Sequence, residues 1–410
     1  MNITLKYDLK NNRYDYLIMI TIVSVIFAGP LFGAFTPVRI IGFLFWLYYI
    51  IKIKVNYRIK KLTYCLYGVI FYSFLAVFWI SDWYMYVISF LELLCYIGAF
   101  FLIYYSSFMA NKPIGSILKG WILFTIANLV VAIWEIYTGQ HTANGQFQAA
   151  DHAISLDGTV GLRTYAAVTY GNYNSLSIVL TLCLFMLILY WVYTNVIREK
   201  LLLILLLLFI VAIEFINTSR GCLIALFLSF IPFFMAIGSN KKDKYILIFI
   251  LSILCVYLWY EYSDDILFLI ERKIDARSGA AQDPRWILWA GGLKIAEDWL
   301  YMGGGPGSQI YEYGKADIWI TYAHNLWIQV LVEYGLVFTI ALIYGIARLA
   351  IKCYLDPNRL LRLIGVILIL CWPILTIVDE DYLKSVHWTF FASILAIYHS
   401  SQTNQFQISK

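Results

Sequence analysis

Charged side chains are scarce in this sequence. Asp, Glu, Lys and Arg supply 13% of its 410 residues, whereas a soluble globular chain carries about 25%. Hydrophobic residues make up 62%, with a mean hydropathy of +0.75. That shortage excludes a water-soluble multidomain enzyme, a disordered chain and a secreted disulfide scaffold. None of the seven cysteines forms a CxxC pair, and all lie in or beside apolar runs. Neither a zinc site nor a disulfide framework is read from them. The polar stretch Met1 to Tyr14 has no small-residue cleavage site after it, so the first apolar run reads as a retained signal anchor. No internal repeat suggests a transporter built from two halves. The net charge of +5 is too weak to argue for nucleic acid.

What the chain does have is apolar runs. They fall at about 15–33, 37–51, 64–80, 85–106, 116–137, 174–194, 201–217, 221–238, 245–262, 324–347, 361–378 and 386–399. At about 20 residues per span, this predicts an all-α, polytopic integral membrane protein with about 12 transmembrane helices, forming a single transmembrane domain over 1–410. The basic residues give the orientation. With the N-terminus inside, twenty of the 30 Lys and Arg fall on the inner side and only four, Arg39, Arg163, Arg220 and Lys384, in outer segments other than the largest loop. Both termini are therefore expected to be cytoplasmic. Two longer outer segments remain, a first periplasmic loop at 139–173 and a large one at 263–323, and loops of that length are usually functional or disordered. The larger carries four tryptophans and an apolar rhythm around Ile287, Leu288, Leu293 and Ile295 that predicts an amphipathic helix.

Polar residues at membrane depth are costly, so their positions are informative. Arg220, in Thr218-Ser219-Arg220-Gly221, stands between two spans with almost no loop, and Glu214 and Asn217 lie on the turns below it. It reads either as a snorkelling anchor or as a guanidinium fork for phosphate. Arg285 follows Asp283-Pro284 at a helix start, where capping alone would account for the pattern. The Gly303 to Gly307 run gives a backbone able to approach a ligand closely, although no Gly-Lys-Ser/Thr follows to make it a P-loop.

His324 opens a span. Asn325, Gln329 and Glu333 follow at four-residue spacing, along one side of the helix. That stripe must face protein or water rather than lipid. Histidine can act as a general base near neutrality, although a lone interface histidine is more often structural. Arg163, Asn172 and Asn174 in the first loop read equally as solvated and turn residues. Asp379-Glu380-Asp381 reads as an exposed acidic turn rather than a metal site.

The ordered set of Thr218-Ser219-Arg220-Gly221, Arg285 near its tryptophans, the Gly303 to Gly307 loop, and His324-Asn325 followed by Gly335 resembles the O-antigen ligase and O-antigen polymerase superfamily. The resemblance covers roughly 160–350. It implies a C-type, metal-independent glycosyltransferase fold with no cofactor, whose large, partly helical periplasmic loop carries part of the active site. It implies a donor glycan linked through pyrophosphate to undecaprenol in the bacterial inner membrane. Arg220 and Arg285 would hold the pyrophosphate, and His324 would deprotonate or orient the attacking sugar hydroxyl. Arg163 with Asn172 or Asn174, Gly305, Gly307, Asn325 and Glu333 would line the substrate site.

The acceptor would be another lipid-linked repeat unit for a polymerase, or lipid A-core for a ligase. A chain-length regulator is a further candidate partner. Val337 and Phe338 after Gly335-Leu336 depart from the small, hydroxylated or tyrosine residue of ligases and tilt the reading towards polymerase. A lipid-linked oligosaccharide flippase would also be a helical bundle, but would be expected to keep its polar residues near mid-membrane and its loops short. A membrane-bound acyltransferase with a catalytic histidine would leave the two arginines without a purpose.

Overall fold

In the computed structural model, the residues described are 11–27, 36–52, 60–80, 82–142, 152–154, 160–162, 165–217, 219–237, 284–316, 323–378 and 384–408, together with 253, 256, 257 and 260. The apolar run at 245–262 lies largely, and the acidic turn at 379–381 wholly, outside them.

Helices account for nearly all of the described elements. The first five are α1 (Asn12–Val23), α2 (Pro37–Lys52), α3 (Lys60–Leu75), α4 (Trp83–Met109) and α5 (Pro113–Thr138). After them come α6 (Tyr173–Tyr193), α7 (Ile197–Asn217) and α8 (Arg220–Ile237). Two short helices, α9 (Pro284–Asp298) and α10 (Ser308–Lys315), precede the long α11 (Leu326–Tyr354). α12 (Arg359–Val366) runs through a π turn at Ile367–Cys371 into α13 (Trp372–Val378), and α14 is Ser385–Ile408. The π turn precedes Pro373, whose missing N–H leaves the carbonyl of Ile369 without its usual helical partner and whose ring crowds that carbonyl.

By length and composition, α4, α5, α6, α11 and the continuous stretch Arg359–Ile377 can cross a membrane, and three shorter apolar helices accompany them. One small departure from the all-α expectation occurs in the segment after α5. There β1 (His152–Ile154) pairs antiparallel with β2 (Val160–Leu162).

The core follows from composition. α6 has no charged residue and is apolar on every side, so it has no face to turn to water. It sits inside the bundle, buried from Leu176 to Tyr190 and packed against α5, α7, α8 and α12. A second, smaller core joins α9, α10 and α11 through Leu288, Ile295, Ala296, Tyr313, Ile328 and Val332.

The two ends of the bundle are closed differently. At one end Asp15 of α1 accepts hydrogen bonds from Asn111 N–H (3.0 Å), Lys112 N–H (3.0 Å) and Ser116 Oγ (2.6 Å). It caps the start of α5, whose own N-cap residue Lys112 has no capping side-chain bond. Arg359 donates from Nη2 to the carbonyls of Met235 and Ala236 (both 2.6 Å), closing the last turn of α8. The opposite end gathers the C-termini of α5, α7 and α13 and the N-termini of α6, α8, α11 and α14. Contacts such as Lys384 Nζ to Ser175 Oγ (3.3 Å) and Trp327 Nε1 to Thr376 Oγ1 (2.8 Å) tie it together.

Candidate functional site

His324 lies at this second end. Its φ is +49°, in the left-handed region that side chains with a Cβ rarely adopt. Strain of this kind, worth about 1–3 kcal/mol, persists only where the surroundings enforce it. Two neighbours enforce it here. Asn325 Oδ1 accepts from Trp327 N–H (3.0 Å) and Ile328 N–H (3.4 Å), an N-cap that starts α11 immediately after the histidine. On the other side, Trp289 Nε1 donates to the carbonyl of Ala323 (3.0 Å). The stripe of Asn325, Gln329 and Glu333 is buried along its whole length, as the cost of exposing it to lipid requires.

Trp289 brings α9 to this point, and α9 begins with Pro284-Arg285. Arg285 and Trp289 are four residues apart, hence on one helix face and about 6 Å apart along the axis. Arg285 is half-buried. The helix falls where the sequence predicts it, but its inward face differs in part. Leu288, Ile295 and Ala296 are buried, whereas Ile287 and Leu293 are exposed with Trp286. Gly292 accounts for the choice, because a Cβ there would meet Ile328 Cγ2 at 2.4 Å and the Tyr313 hydroxyl at 2.6 Å. The face bearing Gly292 is the one that can approach α11 closely. Tyr313 donates to the carbonyl of Leu288 (2.6 Å), and burial pushes its phenol up to about 12, so it stays a neutral donor.

The glycine loop performs a backbone-to-backbone docking. α11 is broken at Gly335 (φ +80°, ψ 177°). The break frees the carbonyls of Val332 and Glu333, which accept from Gly304 N–H (2.8 Å) and Gly305 N–H (2.9 Å), and Leu336 N–H donates to Tyr301 O (2.8 Å). No side chain fits between these strands. A Cβ on Gly335 would lie 2.4 Å from Met302 O, and one on Gly303 2.6 Å from Gly335 N. Gly305 and Gly307 likewise approach protein. Their nearest neighbours are Ala76 and the Met85–Ser89 turn.

What braces this loop is not legible in the sequence. Tyr72 donates its hydroxyl to Met302 O, and Trp79 Nε1 donates to Gly303 O (3.1 Å). Tyr86 OH donates to Ser73 O (2.7 Å). α3 and α4 thus hold the motif loop from the N-terminal third. Their aromatic residues are indistinguishable in sequence from lipid-facing ones.

The first-loop candidates divide. Asn172 is the N-cap of α6, its Oδ1 accepting from Asn174 N–H (2.8 Å). Arg163 and the side chain of Arg220 lie outside the described residues, although the backbone of Arg220 opens α8. Glu214 and Asn217, below it, are completely buried. Both α8 and α11 pack on α13, which joins the helix that Arg220 starts to the one that His324 precedes. Among the described residues, no cluster of His, Cys, Asp and Glu could hold a metal ion.

Residues 204–343 match the model of the O-antigen ligase family. That segment contains Arg220, Arg285, His324 and Gly335. Members of this family are glycosyltransferase-like enzymes acting on lipid-linked glycans. No curated protein matches the chain.

Proposed function

We propose that the protein is a surface-polysaccharide polymerase of the bacterial inner membrane. It transfers an undecaprenyl-pyrophosphate-linked glycan to a sugar hydroxyl of another lipid-linked repeat unit at the periplasmic face, without a metal ion. The observation that carries this reading is the strained His324, pinned through Ala323 to the helix that starts at Arg285, within the segment matching the O-antigen ligase family.

In this reading the chain spans the membrane about twelve times in a C-type glycosyltransferase fold, with both termini cytoplasmic. Arg220 and Arg285 bind the pyrophosphate and stabilise the charge that develops as the bond from the anomeric carbon to the pyrophosphate oxygen breaks. His324 takes the proton from the acceptor hydroxyl as its oxygen bonds to the anomeric carbon. The leaving group is undecaprenyl pyrophosphate, and the displacement is direct and inverting. Arg163, Asn174 and Glu333 face the glycan or its pyrophosphate. Asn172, Asn325, Gly305 and Gly307 act through the caps and dockings they make.

The test is transfer by Arg220→Ala, Arg285→Ala and His324→Ala in membranes. Each variant is expected to abolish it while the protein remains inserted, and full activity in one removes that residue from the mechanism. Arg220→Lys should also be poor, since an ammonium cannot form a bidentate phosphate pair. Chelation should leave transfer intact, and a loss that magnesium restores overturns the metal-independent mechanism. A second reading, ligase, is favoured by the description of the matching family. The glycan pattern of a deletion strain separates the two. Core bearing a single repeat unit means polymerase; bare core with long polymer held on undecaprenol means ligase.

A further inference from the structure

A narrow cleft opens where the glycine loop meets the start of α4. Asp82 and Tyr86 form one wall, and Gly304, Pro306, Ser308 and Tyr311 the other, around a space of about 190 Å³. That space includes the open mouth, and the closed part is the size of one water or hydroxyl. Ser308 opens α10 and is nine-tenths buried, yet its hydroxyl has no hydrogen-bond partner among the described residues. An unpaired hydroxyl is costly to bury, so this one is set to meet a group that enters the cleft. Asp82, on the facing wall, is fixed as the N-cap of α4. Its Oδ1 accepts from Met85 N–H (2.9 Å), and its other oxygen has no partner among the described residues. Tyr86 gives its hydroxyl to Ser73 O (2.7 Å), so it offers the cleft only its ring.

These groups select among ligands. A glycine-rich loop running into a helix N-terminus ordinarily suits an anion. Here a carboxylate stands on the facing wall and no Lys, Arg or His lines the cleft among the described residues, so a phosphate would be repelled. A carboxylate can only accept and a hydroxyl can do both, which fits a neutral ligand rich in O–H donors. The Tyr86 ring and Pro306 add the apolar surface that suits the C–H face of a sugar. The loop joins α11 at the Gly335 break, about 15 Å along the helix from Asn325. One sugar held at His324 would not reach the cleft, whereas a longer glycan would. We infer that the cleft is a subsite for a lipid-linked glycan, in which Asp82 and Ser308 bind a hydroxyl of a sugar remote from the bond being made. This rests on the proposed function and gives its substrate a second point of attachment, on α4. Contacts with a remote sugar are made equally before and during transfer, so they act on KM more than on kcat.

The experiment uses the full-length protein in lipid bilayers and two probes: the host's own lipid-linked repeat unit, and the same lipid pyrophosphate bearing only its first sugar. It measures the binding of each and, with an isotopically labelled acceptor, the KM of the repeat unit as donor and as acceptor. Ser308→Ala deletes a hydroxyl that the protein itself does not bond. The free protein should keep or slightly raise its unfolding temperature, while binding of the repeat unit weakens about 3- to 10-fold. Asp82→Asn keeps a side chain able to cap α4 and should weaken that binding about 10- to 100-fold, the usual range for a bond to a charged group. Neither loss should appear with the one-sugar lipid, which does not reach the cleft. Equal weakening for both lipids means general distortion and overturns the inference. Unchanged binding of the repeat unit means that the cleft holds water only and overturns it as well. A KM raised for donor or for acceptor supports the subsite and says whose glycan occupies it. If the wild-type protein transfers nothing, the proposed function falls, and the binding comparison decides the subsite alone.

Discussion

The two ends of this bundle are built from the same helices yet solve the problem of joining them in opposite ways. At the end organised by Asp15 and Arg359, connections are short, and charged side chains cap helix termini. At the other end the chain is irregular. Every described residue with a left-handed φ lies in or against the segments gathered there: Val168, Leu300, Tyr301 and His324, and the glycines 139, 171, 303, 305, 307 and 335. Strain on that scale is not needed to turn a chain between helices, as the Asp15 end demonstrates. Its concentration beside a buried polar stripe distinguishes this end, which is the one where we propose that transfer occurs.

That contrast can be broken most severely at the clasp. Gly335→Ala places a methyl against two carbonyl oxygens and forces an L side chain to φ +80°. We expect a loss of about 2–4 kcal/mol together with loss of transfer, read as a lower unfolding temperature and an inactive membrane fraction. Wild-type behaviour would show that loop and helix do not dock this way.

The sharpest control lies at the quiet end. Asp15→Ala removes three hydrogen bonds, two of them to backbone N–H groups, and should cost about 1–3 kcal/mol. Transfer per folded molecule should be unchanged, and a specific loss of kcat would mean that the two ends are not separable in function. A smaller effect is expected for Tyr72→Phe, which deletes one brace to Met302 O. About 0.5–1.5 kcal/mol of stability should be lost with a few-fold fall in kcat, measured by thermal unfolding and donor turnover. The smallest is Arg359→Ala, a partly exposed contact with helix-end carbonyls. It is worth about 0.3–1 kcal/mol and should have no effect on transfer.

Much of this was legible in the sequence because it is local. Apolar length gives α4, α5, α6 and α11, Asp283-Pro284 gives the start of α9, and four-residue spacing gives the buried stripe below His324. The motif from Arg220 to Gly335 is ordered along the chain and lies within residues 204–343, which match the family. The remaining features depend on segments far apart in sequence. Trp289 meets Ala323, Tyr72 meets Met302, and Glu135 and Asn217 meet at the backbone of Ala166 and Ala167.

The glycine run shows the difference most directly. Its composition states that the backbone will approach something closely, and only the fold decides that this partner is the break in α11. The physical reason is that periodicity and composition fix what one helix needs, a buried face or a capped end. Which distant group meets that need is settled by packing, where a missing Cβ or a single carboxylate decides which backbones can touch.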